Sequence, residues 1–534
     1  MKVIEKYDEE IKKAKEEGRT IIACMSNNEV KSLNYDLKEK DKIELLDTTT
    51  KDGMRIYIRG ILYIMAKALH EKYPEALLSV NYQLSDAMFC KIDNMKVTEE
   101  LIADVKKRMQ EIIDANIEIR KIIMNKEEAE KFYSSEKTLR GIAQIDNKQK
   151  ESVSLYYCED YYNYFFGVMP VSTGYTNIFD IITYKDGFLV RYPSRKTPNV
   201  LTPHKSNKKL LATLEEYENI HKVLGVDTLY KLNKEIKEGK TREIIMLSEA
   251  LHEKKISDIA DDVAKRKNVK MVLIAGPSSS GKTTFAKRLG IELRLNGLKP
   301  VTISVDNYFV ERKDNPKDEN GDYDFECLEA IDLELFNNHI KTLLDGGEID
   351  VPTFDFKEGT KKYNGKKMKM SSDEILVIEG IHCLNDKLTE SIPMDQKYKI
   401  YISDLTVLNI DYCNRISTTD TRLLRRIVRD NNFRGYTALH TLSTWSSVNR
   451  GENKNIFPYQ ENCDAMFNSS LIYEISVLKK HALPQLEKIT NEEKEYSEAK
   501  RLVEFLKYFE DIDEEFIPRN SLLREFIGNS IFGD

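Results

Sequence analysis

Apolar positions along the chain follow two regimes. Up to about residue 200, short apolar runs alternate with turn residues and with stretches of helical periodicity. IIACM (21–25) reads as a strand, followed by a turn at Ser26-Asn27-Asn28 and a second short run around Asp41–Leu46. Between Tyr57 and His70, the residues Ile58, Ile61, Leu62, Met65, Ala66 and Leu69 recur every three or four positions, which predicts a helix that ends before Tyr73-Pro74. A second helix is predicted over Thr98–Ala115. Leu155–Tyr192 is rich in aromatic and β-branched residues, with breaks at Gly167-Val168-Met169-Pro170, Gly174 and Asp186-Gly187, the signature of a sheet with hairpin turns. From about 200 to 265 the chain is polar, lysine-rich and helical, as a connector would be.

At Val269 the pattern changes. MVLIA (271–275) is a buried-strand run; it enters a Gly/Ser loop, then the helix-like TTFAKRLGIELRLNG, then the strand-like VTISVD (301–306). Strand, helix, strand in that order is the unit of a parallel sheet covered on both faces. ILVIEG (375–380) and YKIYISD (398–404) add two further strands, and the tail from Pro484 to Asp534 reads mostly as amphipathic helix.

Length and charge narrow the picture. At about 150 residues per domain, 534 residues hold three or four domains. With 82 Lys+Arg against 89 Asp+Glu the net charge is −7, which argues against a protein that coats nucleic acid or a membrane. The seven cysteines are scattered without a C-x-x-C pair, so neither a disulfide framework nor a zinc ribbon is indicated. The charged N-terminus lacks an apolar signal core, and no run reaches the ~18 apolar residues of a span, so the expected compartment is the cytoplasm.

The strongest chemical signal is Gly276-Pro277-Ser278-Ser279-Ser280-Gly281-Lys282-Thr283, which matches G-x-x-x-x-G-K-[ST] between a strand and a helix and is followed by Thr284. Glycines at these positions let successive backbone N–H groups face phosphate oxygens, and the helix N-terminus adds partial positive charge. Lys282 can then reach the β- and γ-phosphates while Thr283 offers a hydroxyl to Mg²⁺. The expected cofactors are ATP and Mg²⁺.

Asp306 stands at the C-terminal end of the next strand, where ligands of a parallel sheet gather, and could take the proton from an attacking hydroxyl. Glu379 ends ILVIEG and could hold Mg²⁺ directly or through water. Tyr308, Asp324, Phe325, Glu326, Phe354 and Phe356 mix aromatic faces with carboxylates, a combination able to stack on a base and accept bonds from ribose hydroxyls; packing at a core edge accounts for the aromatics equally well. Arg422, Arg425, Arg426 and Arg429 recur at spacings of three and four, so most share one helix face, where an anion or the flanking Asp420 and Asp430 would relieve their repulsion. Arg434-Gly435 just beyond would let that helix close as a lid.

With these pieces in order, residues ~268–480 resemble the uridine kinase and phosphoribulokinase family. The resemblance rests on GPSSSGKTT (276–284), SVDNYF (304–309), YDFECLEAID (323–332), VPTFDF (351–356), ILVIEG (375–380) and DTRLLRRIVRDNNFRG (420–435). Gln460-Glu461 and SLLREFIG (521–528) also have the character of bacterial members. The resemblance implies an ATP·Mg²⁺-dependent kinase of a sugar hydroxyl, usually the 5′-hydroxyl of uridine or cytidine, with Asp306 as base and the arginine run as lid. Two departures stand out: Gly359-Thr360-Lys361 occupies the place of a His-Ser-Arg that reads the pyrimidine, and Glu326-Cys327 replaces a ribose-contacting Asp and a His.

The first ~200 residues are similar to the front end of threonyl-tRNA synthetase, a TGS-like β-grasp unit and its second additional domain. The matching text is IIACMSNNEVKSLNYDLKEKDKIELL, AKALHEKYPEALLS (66–79) and GVMPVSTGYTNIFDI (167–181). In the four slots that hold His, His, Cys and His in the synthetase stand Arg59, Tyr63, Phe165 and Met169, none of them a zinc ligand, so neither a metal nor editing chemistry is expected there. Ligand sensing, partner docking or dimerisation are the roles expected of such a scaffold.

The resulting expectation is an α/β chain with a TGS-like unit over 1–52, a second synthetase-like domain over 53–200, a helical connector over 201–267, a P-loop kinase domain over 268–480 and a helical tail over 481–534. The expected substrate is a small nucleoside. A kinase of another sugar or sugar phosphate is the enzymatic alternative, and a nucleotide-sensing, RNA-associated regulator the non-enzymatic one.

Overall fold

The structure, a computed structural model, describes residues 1–134, 152–317, 321, 323–355 and 358–533. Two short helices, Val3–Lys6 and Asp8–Glu16, precede a three-stranded antiparallel sheet in which Ile21–Ser26 lies between Glu29–Ser32 and Ile43–Asp47. Helix Lys51–Lys72 follows, and the border expected at 52/53 falls in its first turn. Thr50 starts it by accepting from the Gly53 amide at 3.1 Å. A four-stranded antiparallel sheet (Leu78–Gln83, Ala87–Ile92, Gly187–Arg191, Asp180–Tyr184) and helix Glu99–Asp114 share a core with Ile61, Met65 and Leu69 of that helix. Arg120–Asn125, Ser152–Cys158 and Tyr161–Asn163 form a further small sheet.

The second half is a five-stranded sheet in the spatial order Lys299–Ser304, Glu374–Glu379, Met271–Ala275, Lys397–Ser403, Ala465–Asn468, every neighbouring pair parallel. Four of these strands fall on the apolar runs read from the sequence. The fifth does not, because AMFN is too short and mixed to register as a run. Alternate residues of the central strand face opposite layers. Val272 and Ile274 pack against Phe285 and Leu289 of helix Lys282–Leu295 and Ile256 and Ala260 of helix Thr241–Lys265. Met271 and Leu273 pack toward Phe336 and Ile340 of helix Leu333–Leu344. All four strand side chains are fully buried, each contributing roughly 2 kcal/mol of transfer free energy. The hairpin Glu348–Asp355/Thr360–Lys369 lies beyond the parallel sheet.

The tail departs from its expected helicity. Past Pro484, α-helix is confined to the end of Glu474–Leu486, to Tyr496–Leu506 and to Arg524–Ile527, and Pro518, which lacks an N–H donor, falls in the gap before the last of these. The border expected at 480/481 lies inside helix Glu474–Leu486. Leu502, Phe505, Leu523 and Phe526 share one core with Leu423, Leu424 and Ile427 of helix Thr418–Arg429. Among the described residues no helix is long and apolar enough to cross a membrane, and the seven cysteines are free and buried.

Candidate active site

The loop from Gly276 to Gly281 leaves the strand Met271–Ala275 and turns into helix Lys282–Leu295. Ser279 (φ +59°) and Gly281 (φ +85°) both adopt left-handed backbone, the alternation that lets consecutive amides converge on an anion. Ser279 costs strain, whereas Gly281 adopts the conformation freely. The hydroxyls of Ser279 and Ser280 are buried with no hydrogen-bond partner among the described residues. Lys282 Nζ donates to the Gly276 and Pro277 carbonyls at 3.0 and 3.3 Å, keeping its ammonium over the loop.

Strand register sets the carboxylates. Ser304 lies opposite Glu379 in the neighbouring strand, and its hydroxyl donates to Glu379 Oε1 at 2.7 Å. Two residues past Ser304, in the single 3-10 turn Val305–Tyr308, Asp306 comes close enough to Glu379 and Lys282 for their charges to interact. Burial raises the Asp306 carboxyl above its usual range, against the pull of Lys282, Arg434 and Arg429. Burial first and the Asp306 charge second push Glu379 up to about 7, against Lys282 and the Ser304 bond. A buried Glu379 and a half-buried Asp306, with hydroxyl neighbours and an exposed Thr283, form an oxygen donor set of the kind Mg²⁺ takes, and a divalent cation would relieve the repulsion between the pair. Glu326, also pushed up to about 7, owes this to burial and then to the Glu452 charge.

The arginines of helix Thr418–Arg429 divide. Arg422 makes a two-pronged pair with Glu452 at 2.5 and 2.8 Å. Arg425 is fully buried, 2.6 Å from Glu474 and 3.6 Å from Asp404. These two side chains touch the phosphate loop only through its carbonyls, Ser278 O and Ser279 O, so they position the loop rather than present a face to a ligand. That corrects the reading of a single cationic face. The compensating carboxylates are Glu452, Glu474 and Asp404, while Asp420 is held by Arg501 at 2.8 Å. Arg426 donates to Ser278 Oγ at 2.9 Å, and Arg426, Arg429 and Arg434 surround the buried Asp430. Arg429 and Arg434 are the ones whose charges act on Asp306.

The aromatic candidates divide too. Tyr308 is fully buried, edge-on to Phe336 at 5.1 Å, with its hydroxyl 3.1 Å from His339 Nδ1. Phe354 packs on Phe309 with ring centroids 5.5 Å apart. Both rings are consumed by the core, which removes them from the set of exposed stacking faces. Phe325 is 39% exposed and pairs with Tyr323 at 5.9 Å, and Asp324 accepts from the Glu326 amide at 3.1 Å, shaping the turn that carries both. Phe356 lies outside the described residues.

Sequence reading missed two carboxylates at the loop itself. Glu452, on helix Ala438–Asn455, accepts from the Ser278 amide at 2.9 Å. Glu525 accepts from the Thr284 amide at 3.0 Å, with Leu522 packed over Gly281. SLLREFIG was visible as a motif, but nothing in its spacing located it at the phosphate loop; Glu452 carries no local signal.

In the N-terminal half, Tyr63 and Phe165 do come together, with ring centroids 5.8 Å apart. Met169 joins the same core, and Arg59 donates to the Val168 carbonyl. Among the described residues no group of three or more His, Cys, Asp or Glu is placed to hold a metal.

Fold and loop together define a P-loop α/β domain. Residues 271–476 match the model of the Phosphoribulokinase / Uridine kinase family. A uridine kinase of Halobacterium salinarum is 30% identical over 157 residues, 29% of this chain and 60% of that protein. A protein of Enterocytozoon bieneusi described as a "probable threonine--tRNA ligase, cytoplasmic" is 30% identical over 166 residues, 31% of this chain. The chain thus spans about a quarter (26%) of the length of the ligase and 60% of the kinase. A solved structure described as a "possible uridine kinase from Bacillus stearothermophilus" is similar at 18% identity and a TM-score of 0.24, covering 40% of this chain and 98% of that one.

Proposed function

We propose that this protein is an ATP-dependent kinase that transfers the γ-phosphoryl group to a sugar hydroxyl, with the 5′-hydroxyl of a pyrimidine nucleoside as the first candidate acceptor. The observation that carries this reading is the convergence of Lys282, Asp306 and Glu379 at the C-terminal ends of adjacent parallel strands, beside an amide-lined loop. The family match over 271–476 supports it.

In this reading the loop amides and Lys282 hold the phosphates, and Arg429 and Arg434 offset charge that develops on the moving group. Mg²⁺, held by Thr283 and Glu379, would neutralise phosphate charge. Asp306 accepts the proton of the acceptor hydroxyl as its oxygen attacks; a carboxyl raised above its ordinary range is a better base than a solvated one. Glu326, half-buried and near the charges of Arg426 and Lys282, is the candidate acceptor of a bond from a ribose hydroxyl.

The test is a panel of nucleosides and sugar phosphates assayed for acceptor-dependent ADP release, with product position fixed by phosphorus NMR. Release with uridine or cytidine and a 5′-phosphate product is the expected result. Release only with a phosphorylated sugar would shift the acceptor class, and none with any alcohol would overturn the reading.

A further inference from the structure

A cavity of about 310 Å³ lies where the N-terminal half meets the tail. Five aromatic residues line it: Tyr156, Tyr164, Phe165, Phe166 and Tyr508. Among the described residues its charged lining comprises four cations (Arg59, Lys121, Lys500, Arg501) and three carboxylates (Glu29, Asp52, Glu504). Each of those carboxylates already holds another cation: Glu29 has Lys31 and Lys500, Asp52 has Arg55, and Glu504 has Lys507. Arg501 is held in turn by Asp420 and Glu498. Arg59 is different. Among the described residues its guanidinium has no carboxylate within ion-pair distance, and its one hydrogen bond goes to the Val168 carbonyl.

A half-buried guanidinium normally finds an anion, because leaving it without one forfeits solvation with no return. Here burial, reinforced by the charges of Arg55 and Arg501, brings its pKa down to about 10, so it stays charged at neutral pH while unsatisfied. Backbone geometry fixes its place. Gly167 has φ +110°, and a Cβ there would come within 2.8 Å of the Arg59 Cζ, so only glycine lets the guanidinium lie against this turn.

We propose that this cavity binds a small organic anion, a phosphate or carboxylate group on Arg59 with a flat ring against Tyr156, Phe165 and Phe166. A planar guanidinium matches either head group with two parallel hydrogen bonds, and the volume suits a ligand of one or two rings. The site is distinct from the phosphate loop, and it uses residues of both halves of the chain.

Calorimetric titration of the full chain, saturated with ADP and Mg²⁺, tests this with three probes: UMP, benzoate and inorganic phosphate. The expected result is a binding event for UMP or benzoate, the two arms separating phosphate from carboxylate, with inorganic phosphate at least tenfold weaker because it lacks a ring. Arg59→Met should weaken the ring-bearing probe at least tenfold while turnover and KM for ATP stay within twofold of the parent. Should Arg59→Met fail to fold, Phe166→Ala removes part of the aromatic lining and should weaken the same probe. No heat from any probe overturns the proposal, as does UMP binding that Arg59→Met and Phe166→Ala leave unchanged, which would assign it to the acceptor site of the kinase domain.

Discussion

Glu525 and Thr284 lie 241 positions apart in sequence, yet the carboxylate of the first accepts from the backbone amide of the second at 3.0 Å. That amide belongs to the first turn of the helix that follows the phosphate loop, the part of the fold best suited to a phosphate oxygen. In the proposed kinase, a phosphate oxygen of ATP reaching this donor would have to displace Glu525. Replacing Glu525 by Ala frees the amide without touching the loop. A charge-assisted bond of this kind is worth about 1.5–3 kcal/mol net, so ATP should bind roughly ten- to 150-fold more tightly to Glu525→Ala, as read by calorimetry. Equal affinity in the two proteins would remove the competition.

Asp306 occupies the only position in the turn Val305–Tyr308 with a carboxylate that feels Lys282, Arg429 and Arg434 together. Asp306→Asn keeps the shape and the burial but cannot accept a proton. If Asp306 is the base, kcat should fall by about 10²- to 10⁴-fold while the dissociation constant for ATP stays near that of the parent. Single-turnover assays together with nucleotide titration check both halves; retention of kcat would assign proton removal elsewhere.

The raised carboxyls make stability depend on pH. Glu379, pushed up to about 7 from an ordinary 4.5, binds its proton more tightly folded than unfolded. Its protonated form therefore supports the fold fully below about pH 4.5, and that support is lost as pH rises through 7, a difference on the order of 3 kcal/mol. The melting temperature of the protein without Mg²⁺ should drop between pH 5 and 7.5, and Glu379→Gln should flatten that drop. Glu326, raised in the same direction, adds to the slope and will leave a residual dependence in the variant. A slope identical in the parent and in Glu379→Gln would locate the titration in other groups.

The parts of the fold legible in the sequence were those with a local signal. Val272 to Ile274 form an uninterrupted apolar run because both faces of the strand are covered, and Thr98, where the second helix is expected to begin, caps it by accepting from the Leu101 amide. Lys282, Asp306 and Glu379 could be placed together because strand ends in a parallel sheet converge on one edge. What could not be read depended on long-range placement. Tyr308 and Phe354 look like ligand-facing aromatics in one dimension, and only the packing of Phe336 and Phe309 shows them spent in the core. Likewise the spacing of Arg422 and Arg425 shows a cationic helix face, but their partners Glu452 and Glu474 lie 30 and 49 positions away.

That last pairing yields a stability prediction that separates a structural from a ligand-binding arginine. Arg425 is fully buried and bonded to Glu474, Ser279 O, Ser469 Oγ and Ser469 O, and its guanidinium stacks over Phe526 of the tail at 5.1 Å. Removing it leaves Glu474 and Asp404 as buried carboxyls near each other without their cation, and both would take up protons to survive. Arg425→Met should cost about 3–5 kcal/mol in chemical denaturation, the range for breaking one side of a buried pair. The loss should be larger at pH 8 than at pH 5.5, where protonation of the orphaned carboxyls relieves it. Arg429→Met, which leaves no buried acid without a cation because Arg426 and Arg434 still face Asp430, should cost under about 1 kcal/mol while lowering turnover. Equal stability losses for the two variants would mean that the division of the arginine run into loop-holding and substrate-facing members is wrong.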